Sequence, residues 1–175
     1  MPTGLIGKRI LRIGQLSEAS KGQVVSAIVW SLVKYRQPLA VLSPTRTYVD
    51  PEATARRLLE ALVEGTISSQ EFDALATVAE ASHASAPLSL LESSFGRLLL
   101  VNRRRLASGD SAITYQAAAA YLGVATGSVQ RMVNDGTIPR LAEPGQTTTR
   151  TQVISMFAVA DMVARELGMS TSEAP

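Results

Sequence analysis

Residues 113–157 read ITYQAAAAYLGVATGSVQRMVNDGTIPRLAEPGQTTTRTQVISMF, and this stretch decides how the chain is understood. Thr114 is placed to cap a short helix whose Ala118, Ala119 and Leu122 face inward. Alanines at those positions let a second helix approach closely. Gly123 supplies the turn, because a positive φ costs least where there is no Cβ. A second helix is expected from about Thr126, with Val129, Met132 and Val133 on its apolar side. Gly136 ends it and Ile138-Pro139 leaves in extended conformation. Two short helices joined by a tight glycine turn can place one of them in a DNA major groove.

The same residues carry a family resemblance. The run T-x-x-x-A-A-x-x-L-G-V followed by V-x-R-M-V-x-x-G-x-I-P resembles the excisionase-type, MerR-like winged helix-turn-helix. That resemblance implies that helix 126–135 is a recognition helix, with Thr126, Ser128, Gln130 and Arg131 on its outward side. Gln pairs bidentately with adenine and Arg with guanine, while Thr and Ser reach phosphates or base edges. Residues 140–150 would form the wing, with a turn at Glu143-Pro144-Gly145-Gln146 and with Arg140 and Arg150 as its cations. Here the sequence departs from the family, whose wings are richer in Arg and Lys. Over residues 110–150 the cations Arg131, Arg140 and Arg150 are balanced by Asp110, Asp135 and Glu143. Ala125 stands where the family commonly has a capping Ser, at a cost of about 1 kcal/mol. A module this neutral needs help to hold DNA. The Arg103–Arg105 run just before it is one source, through contacts of Arg103, Arg104 and Arg105 with the phosphate backbone, and a solvated helix end is the alternative. Dimerisation is the other source.

The chain as a whole holds 17 Lys+Arg and 15 Asp+Glu over 175 residues, one histidine (His83) and no cysteine. Disulfides, thiol nucleophiles and Cys-ligated zinc are thereby excluded, and His-rich metal sites with them. No cofactor is expected. The charge is segregated: residues 1–50 carry seven basic and two acidic residues, and residues 51–100 carry three and seven. The basic end suits phosphate contact or a solvated face, and the acidic middle suits a protein partner or a dimer contact. No apolar span is long enough for a membrane and no signal peptide is apparent, so a soluble cytoplasmic protein is expected.

Outside the decisive stretch, residues 9–13 (RILRI) alternate as a short strand. Residues 17–36 fit either a helical face (Val24, Ile28, Ser31, Leu32, Tyr35) or a β-branched strand. Gln37–Pro44 reads as a buried strand. Asp50, Pro51 and Glu52 open a helix with Ala55, Leu58, Leu59, Leu62 and Val63 as its apolar stripe, closed by Gly65. Ser68 and Glu71 have capping-box spacing ahead of Phe72, Leu75, Ala76 and Ala79. Residues 81–87 form a linker in which His83 is a solvated loop residue. A third apolar segment runs from Pro87 through Leu88, Leu91 and Phe95, and Leu98–Val101 either continues it or forms a strand. Val153, Phe157, Ala160, Ala164 and Leu167 make a last helical stripe, covering the module's own core or serving self-association.

The fold class expected is mainly α with small β elements (α+β). It divides into a small α/β unit at 1–48, a helical middle at 49–108 and a winged helix-turn-helix at 109–170. Residues 9–44, with Pro38-Leu39-Ala40-Val41-Leu42-Ser43-Pro44 as the returning strand, also resemble the prevent-host-death antitoxins. Those proteins bind DNA as dimers through this region and neutralise a toxin through a later segment. The function expected is a sequence-specific DNA-binding regulator of double-stranded DNA, a repressor or an autoregulating antitoxin. A homodimer and a cognate toxin are the candidate partners. An excision (recombination directionality) factor is the DNA-directed alternative. A protein-interaction module whose winged helix does not bind DNA is the alternative from another class. An enzyme is not expected, since phosphate-loop, triad and carboxylate-cluster patterns are missing from the sequence.

Overall fold

The helix signals that are purely local come out as read. In the computed structural model, which describes residues 17–34, 50–82, 87–141 and 153–169, the Asp50 side chain accepts from the Glu52 amide at 3.0 Å. Pro51 opens helix α2 (Pro51–Glu64), and Gly65 closes it at φ 70°. Helix α1 (Glu18–Lys34) precedes it, so the ambiguous stretch is helical. Val24, Ile28, Ser31 and Leu32 face the core, as the helical alternative requires. Helix α3 (Ser69–Ser82) starts with Ser68 Oγ accepting from the Glu71 amide at 3.2 Å. The glutamate does not complete a reciprocal box, because its carboxylate pairs with Arg57 at 3.2 Å. Val63 departs from its predicted stripe and is exposed.

The expected single apolar segment after Pro87 is two helices, α4 (Pro87–Glu92) and α5 (Ser94–Leu106). Ser93 separates them. It is extended, donates to the Leu90 carbonyl at 2.6 Å, and accepts from the Gly96 amide at 3.0 Å. Gly96 permits the crossing, since a Cβ at that position would lie 1.9 Å from the Leu90 carbonyl oxygen. Leu98–Val101, open to either reading in sequence, is helical and buried.

Strand β1 (Ala112–Thr114), helix α6 (Tyr115–Leu122), helix α7 (Thr126–Asn134), strand β2 (Val153–Ser155) and helix α8 (Met156–Leu167) follow. The described residues thus form eight helices and one antiparallel two-stranded sheet, with Ala112 opposite Ser155, Ile113 opposite Ile154 and Thr114 opposite Val153. Val153 therefore belongs to β2 and not to the helical stripe predicted for it. The buried stripe of α8 is Met156, Val159, Ala160, Val163, Ala164 and Leu167, with Phe157 at its edge. Its start is held by Asp110, whose carboxylate accepts from Ser155 Oγ, from the Phe157 amide at 3.0 Å and from the Ser111 amide at 2.8 Å.

Helix α5 is the hub. It packs against α1, α2, α3, α4 and α8, and one continuous core runs from Val24 to Leu167. Burial on nearly every side leaves Asn102 fully buried, and its Nδ2 donates to the Leu62 carbonyl at 2.9 Å and to the Leu98 carbonyl at 2.8 Å. Leu62 lies in the last turn of α2, where carbonyls have no partner within the helix. Asn102 therefore closes the end of another helix from inside the core. Among the described residues no helix is long and apolar enough to cross a membrane. The linker expected at 81–87 is shorter, since Ala81 and Ser82 still belong to α3 and Pro87 opens α4. Residues 83–86 with His83, Tyr35, the strands expected at 9–13 and 37–44, the wing turn and Arg150 lie outside the described residues.

Asn102→Ala strands the Leu62 carbonyl in the core and leaves a small void. Urea unfolding is expected to show a loss of roughly 2–4 kcal/mol. Arg56→Ala, which breaks only an exposed ion pair with Glu52, should change stability by less than about 1 kcal/mol. Equal effects from the two substitutions would refute the capping role.

Candidate functional site

The α6–α7 pair is built from local signals and fixed by distant ones. Thr114 Oγ1 accepts from the Ala117 amide at 3.1 Å, which starts α6. Ala118, Ala119, Ala120 and Leu122 are buried, and the small side chains allow α7 to lie close. Gly123 takes φ 65°, and the Val124 amide reaches back to the Ala119 carbonyl at 3.1 Å. From the hub helix, Arg97 Nε donates to the Tyr121 carbonyl at 2.9 Å, so a second helix end is closed by an α5 side chain.

Helix α7 has two distinct sides. Val129 and Val133 are buried, Met132 is half-buried, and Ile138 beyond the helix is fully buried beneath them. Thr126, Gly127, Gln130, Arg131 and Asn134 are exposed. At 100° per residue they form one face, with Gly127 and Asn134 near its middle and Gln130 and Arg131 on either side. Ser128 is half-buried at the flank. Ala125 at the N-cap makes no side-chain hydrogen bond, as its residue type requires. Among the described residues, no ion pair or side-chain hydrogen bond engages Arg131, so its five donors are free for a ligand. Asn134, central on this face, was not among the residues singled out from the sequence. Its place at the end of the predicted helix hides it there, although the i+4 spacing from Gln130 marks it.

Beyond α7, the Asp135 carboxylate accepts from the Thr137 amide at 2.9 Å and from its hydroxyl at 2.5 Å. Those two bonds hold its pKa below the ordinary value and keep an anion at the far end of the face. Arg140 is exposed, and its Nη2 donates to Asn134 Oδ1 at 3.2 Å. Its backbone bridges to Ile154 on the side of β2 away from β1.

The Arg103–Arg105 run is turned to intramolecular partners. Arg103 pairs with Glu80 at 2.9 Å, and its guanidinium lies 5.9 Å from the Phe72 ring centroid. Arg104 lies 3.7 Å above the Phe157 ring and 3.4 Å from Asp161, a contact without hydrogen-bond alignment. Arg105 donates to Asn102 Oδ1 at 3.4 Å and packs over Gly65. The three arginines thus brace α3, α8 and the end of α2 against α5. A cleft of about 680 Å³ opens beside Thr126, with Glu92 as well as Arg97 in its walls, so it has no charge preference for phosphate.

Set against protein-family models, curated proteins and solved structures, the chain matches none.

Glu166, near the end of α8, has its pKa pushed up to about 7 by burial, against the opposing pull of Arg97 and Arg165. A carboxyl whose folded pKa is raised stabilises the fold fully below its unfolded value, and that contribution is lost as pH rises through the folded value. Unfolding free energy is therefore expected to fall between about pH 4.5 and 7. Glu166→Gln should flatten that part of the profile. Parallel profiles for the two proteins would refute the assignment.

Proposed function

We propose that the protein is a sequence-specific DNA-binding regulator, with α6–α7 as a helix-turn-helix, α7 as its recognition helix and residues 140–150 as a wing. One observation carries this reading: a helix with an apolar inner side presents a contiguous outer face of Thr126, Gln130, Arg131 and Asn134, with Arg131 unengaged. A solvated helix face of a stable domain is ordinarily laced with i,i+4 ion pairs or long charged side chains of both signs. This face instead offers amides, a hydroxyl and a guanidinium, the groups that recognise base edges in the major groove.

Gly127 supports the same reading. It stands near the middle of the face with a helical backbone, and nothing lies within 4 Å of where its Cβ would be. Glycine costs a helix interior about 1 kcal/mol relative to alanine, and less in the first turn, where Gly127 stands. The fold does not require it there, whereas a close approach of the helix backbone to a bulky ligand does.

The biological role follows as a repressor or an autoregulating antitoxin, acting as a homodimer so that two weakly charged modules share one site. A neighbouring integrase gene would favour the excision-factor alternative, and a neighbouring small toxin gene the antitoxin. The engagement of Arg103 and Arg104 by Glu80 and Asp161 favours one further reading, a protein-interaction module without DNA affinity. A partner complex insensitive to salt, with no DNA binding, would establish it.

In mobility-shift titrations on a site selected from random duplexes, Gln130→Ala combined with Arg131→Ala should weaken binding roughly 30-fold or more. This corresponds to two base contacts of about 1–3 kcal/mol each. Far-UV circular dichroism should be unchanged, and unaltered binding would remove α7 from the recognition role. Gly127→Leu separates the two uses of the face. It should raise fold stability by roughly 0.5–1 kcal/mol and yet reduce DNA affinity. Stability and affinity rising together would contradict close docking of this helix.

A further inference from the structure

We propose that Asn134 is an additional base-reading residue and that Arg140 dictates which base edge it reads. The inference rests on the DNA-binding reading above and goes beyond it by assigning the chemistry of one position. Asn134 is exposed on the same face as Gln130 and Arg131, four and three residues along the helix. Its side-chain oxygen accepts from Arg140 Nη2 at 3.2 Å. A guanidinium has donors only, so the atom of the Asn134 amide facing it is the oxygen, and the NH₂ group is directed elsewhere.

Arg140 is held in this position by its backbone. It bridges to Ile154, and on either side of it the Ser155 amide donates to the Pro139 carbonyl at 3.0 Å and the Leu141 amide to the Val153 carbonyl at 3.1 Å. Among the described residues the nearest acidic residue in sequence, Asp135, accepts from Thr137. Among the described residues, Asn134 is the side chain that the Arg140 guanidinium engages.

This pairing changes what Asn134 can recognise. A free asparagine reads adenine bidentately, accepting from N6 and donating to N7. With the guanidinium on its oxygen, Asn134 meets an adenine N6 amino group with a competing donor and a positive charge already in place. The oxygen keeps a second lone pair, but the guanidinium beside it repels an incoming N–H. The groups best placed to bond are therefore the N–H groups of Asn134 and Arg140, which fit an edge made only of acceptors. In the major groove that edge is the N7 and O6 of guanine. Asn134 is the base contact, and Arg140 acts through it as a positioning residue.

The test is site selection from a random double-stranded DNA pool with the full chain, in the wild type, Asn134→Ala and Arg140→Ala. Both positions are exposed, and circular dichroism checks that each variant is folded. The wild type should enrich guanine at a position that Asn134→Ala makes indifferent, with a loss of discrimination of roughly 5- to 100-fold there and little change elsewhere. Arg140→Ala should turn the same position toward adenine by releasing the amide oxygen. If Arg140→Ala instead weakens every sequence equally and lowers the salt slope by about one, Arg140 is only a phosphate contact and the inference fails. It fails likewise if Asn134→Ala leaves all positions unchanged. A wild-type protein that enriches no sequence would overturn the DNA reading itself, an outcome separate from the other two.

Discussion

A helix buried on most of its sides has to make use of any polar side chain it brings into the core, and in this protein that constraint organises the rest. Helix α5 carries Asn102 and Arg97, and each closes the carbonyl end of a different helix: Leu62 at the end of α2 and Tyr121 at the end of α6. The two contacts lie on either side of the packed run Leu98–Val101. Because helix ends expose carbonyls that apolar packing cannot satisfy, these bonds fix where α2 and α6 stop relative to the hub. The second of them ties the end of α6, and with it the Gly123 turn from which α7 leaves, to the hub helix.

The sequence was legible wherever the signal is carried by neighbours along the chain. Asp50, Pro51 and Gly65 bracket α2, and Thr114 and Gly123 bracket α6, because capping and positive φ are local properties. Legibility failed where burial comes from several directions. Leu98–Val101 has no periodicity because all four residues are buried, so the run cannot say helix or strand. The break at Ser93 was hidden for another reason. It depends on α4 crossing α5 closely enough for Gly96 to be needed, a fact about two helices and not about one. Val153 fits the apolar spacing of the following helix, and only the pairing of β2 with β1 shows that the helix starts after its cap, Ser155.

The candidate site shows the same division. The apolar side of α7 and the exposure of Thr126, Gln130 and Arg131 follow from the 3.6-residue period. The half-burial of Ser128 and the central place of Asn134 depend on how far α7 is rotated against its neighbours. The Arg103–Arg105 run is the clearest case of information held elsewhere. Three consecutive arginines have the same appearance whether they meet solvent, phosphate, or Glu80, Asp161 and Asn102.

That inward turn of the arginines bears on how such a protein would find its target. Proteins that slide along DNA rely on a broad cationic face that holds them to any sequence while they move. Here two cations of the run are matched by carboxylates, and the described α7 face offers a single unpaired guanidinium. On the proposed DNA-binding reading, the described face alone would hold non-cognate DNA only briefly, and any longer residence there would draw on the basic residues of 1–50. Occupancy of a cognate site would depend chiefly on how slowly the protein leaves it and much less on how quickly it arrives.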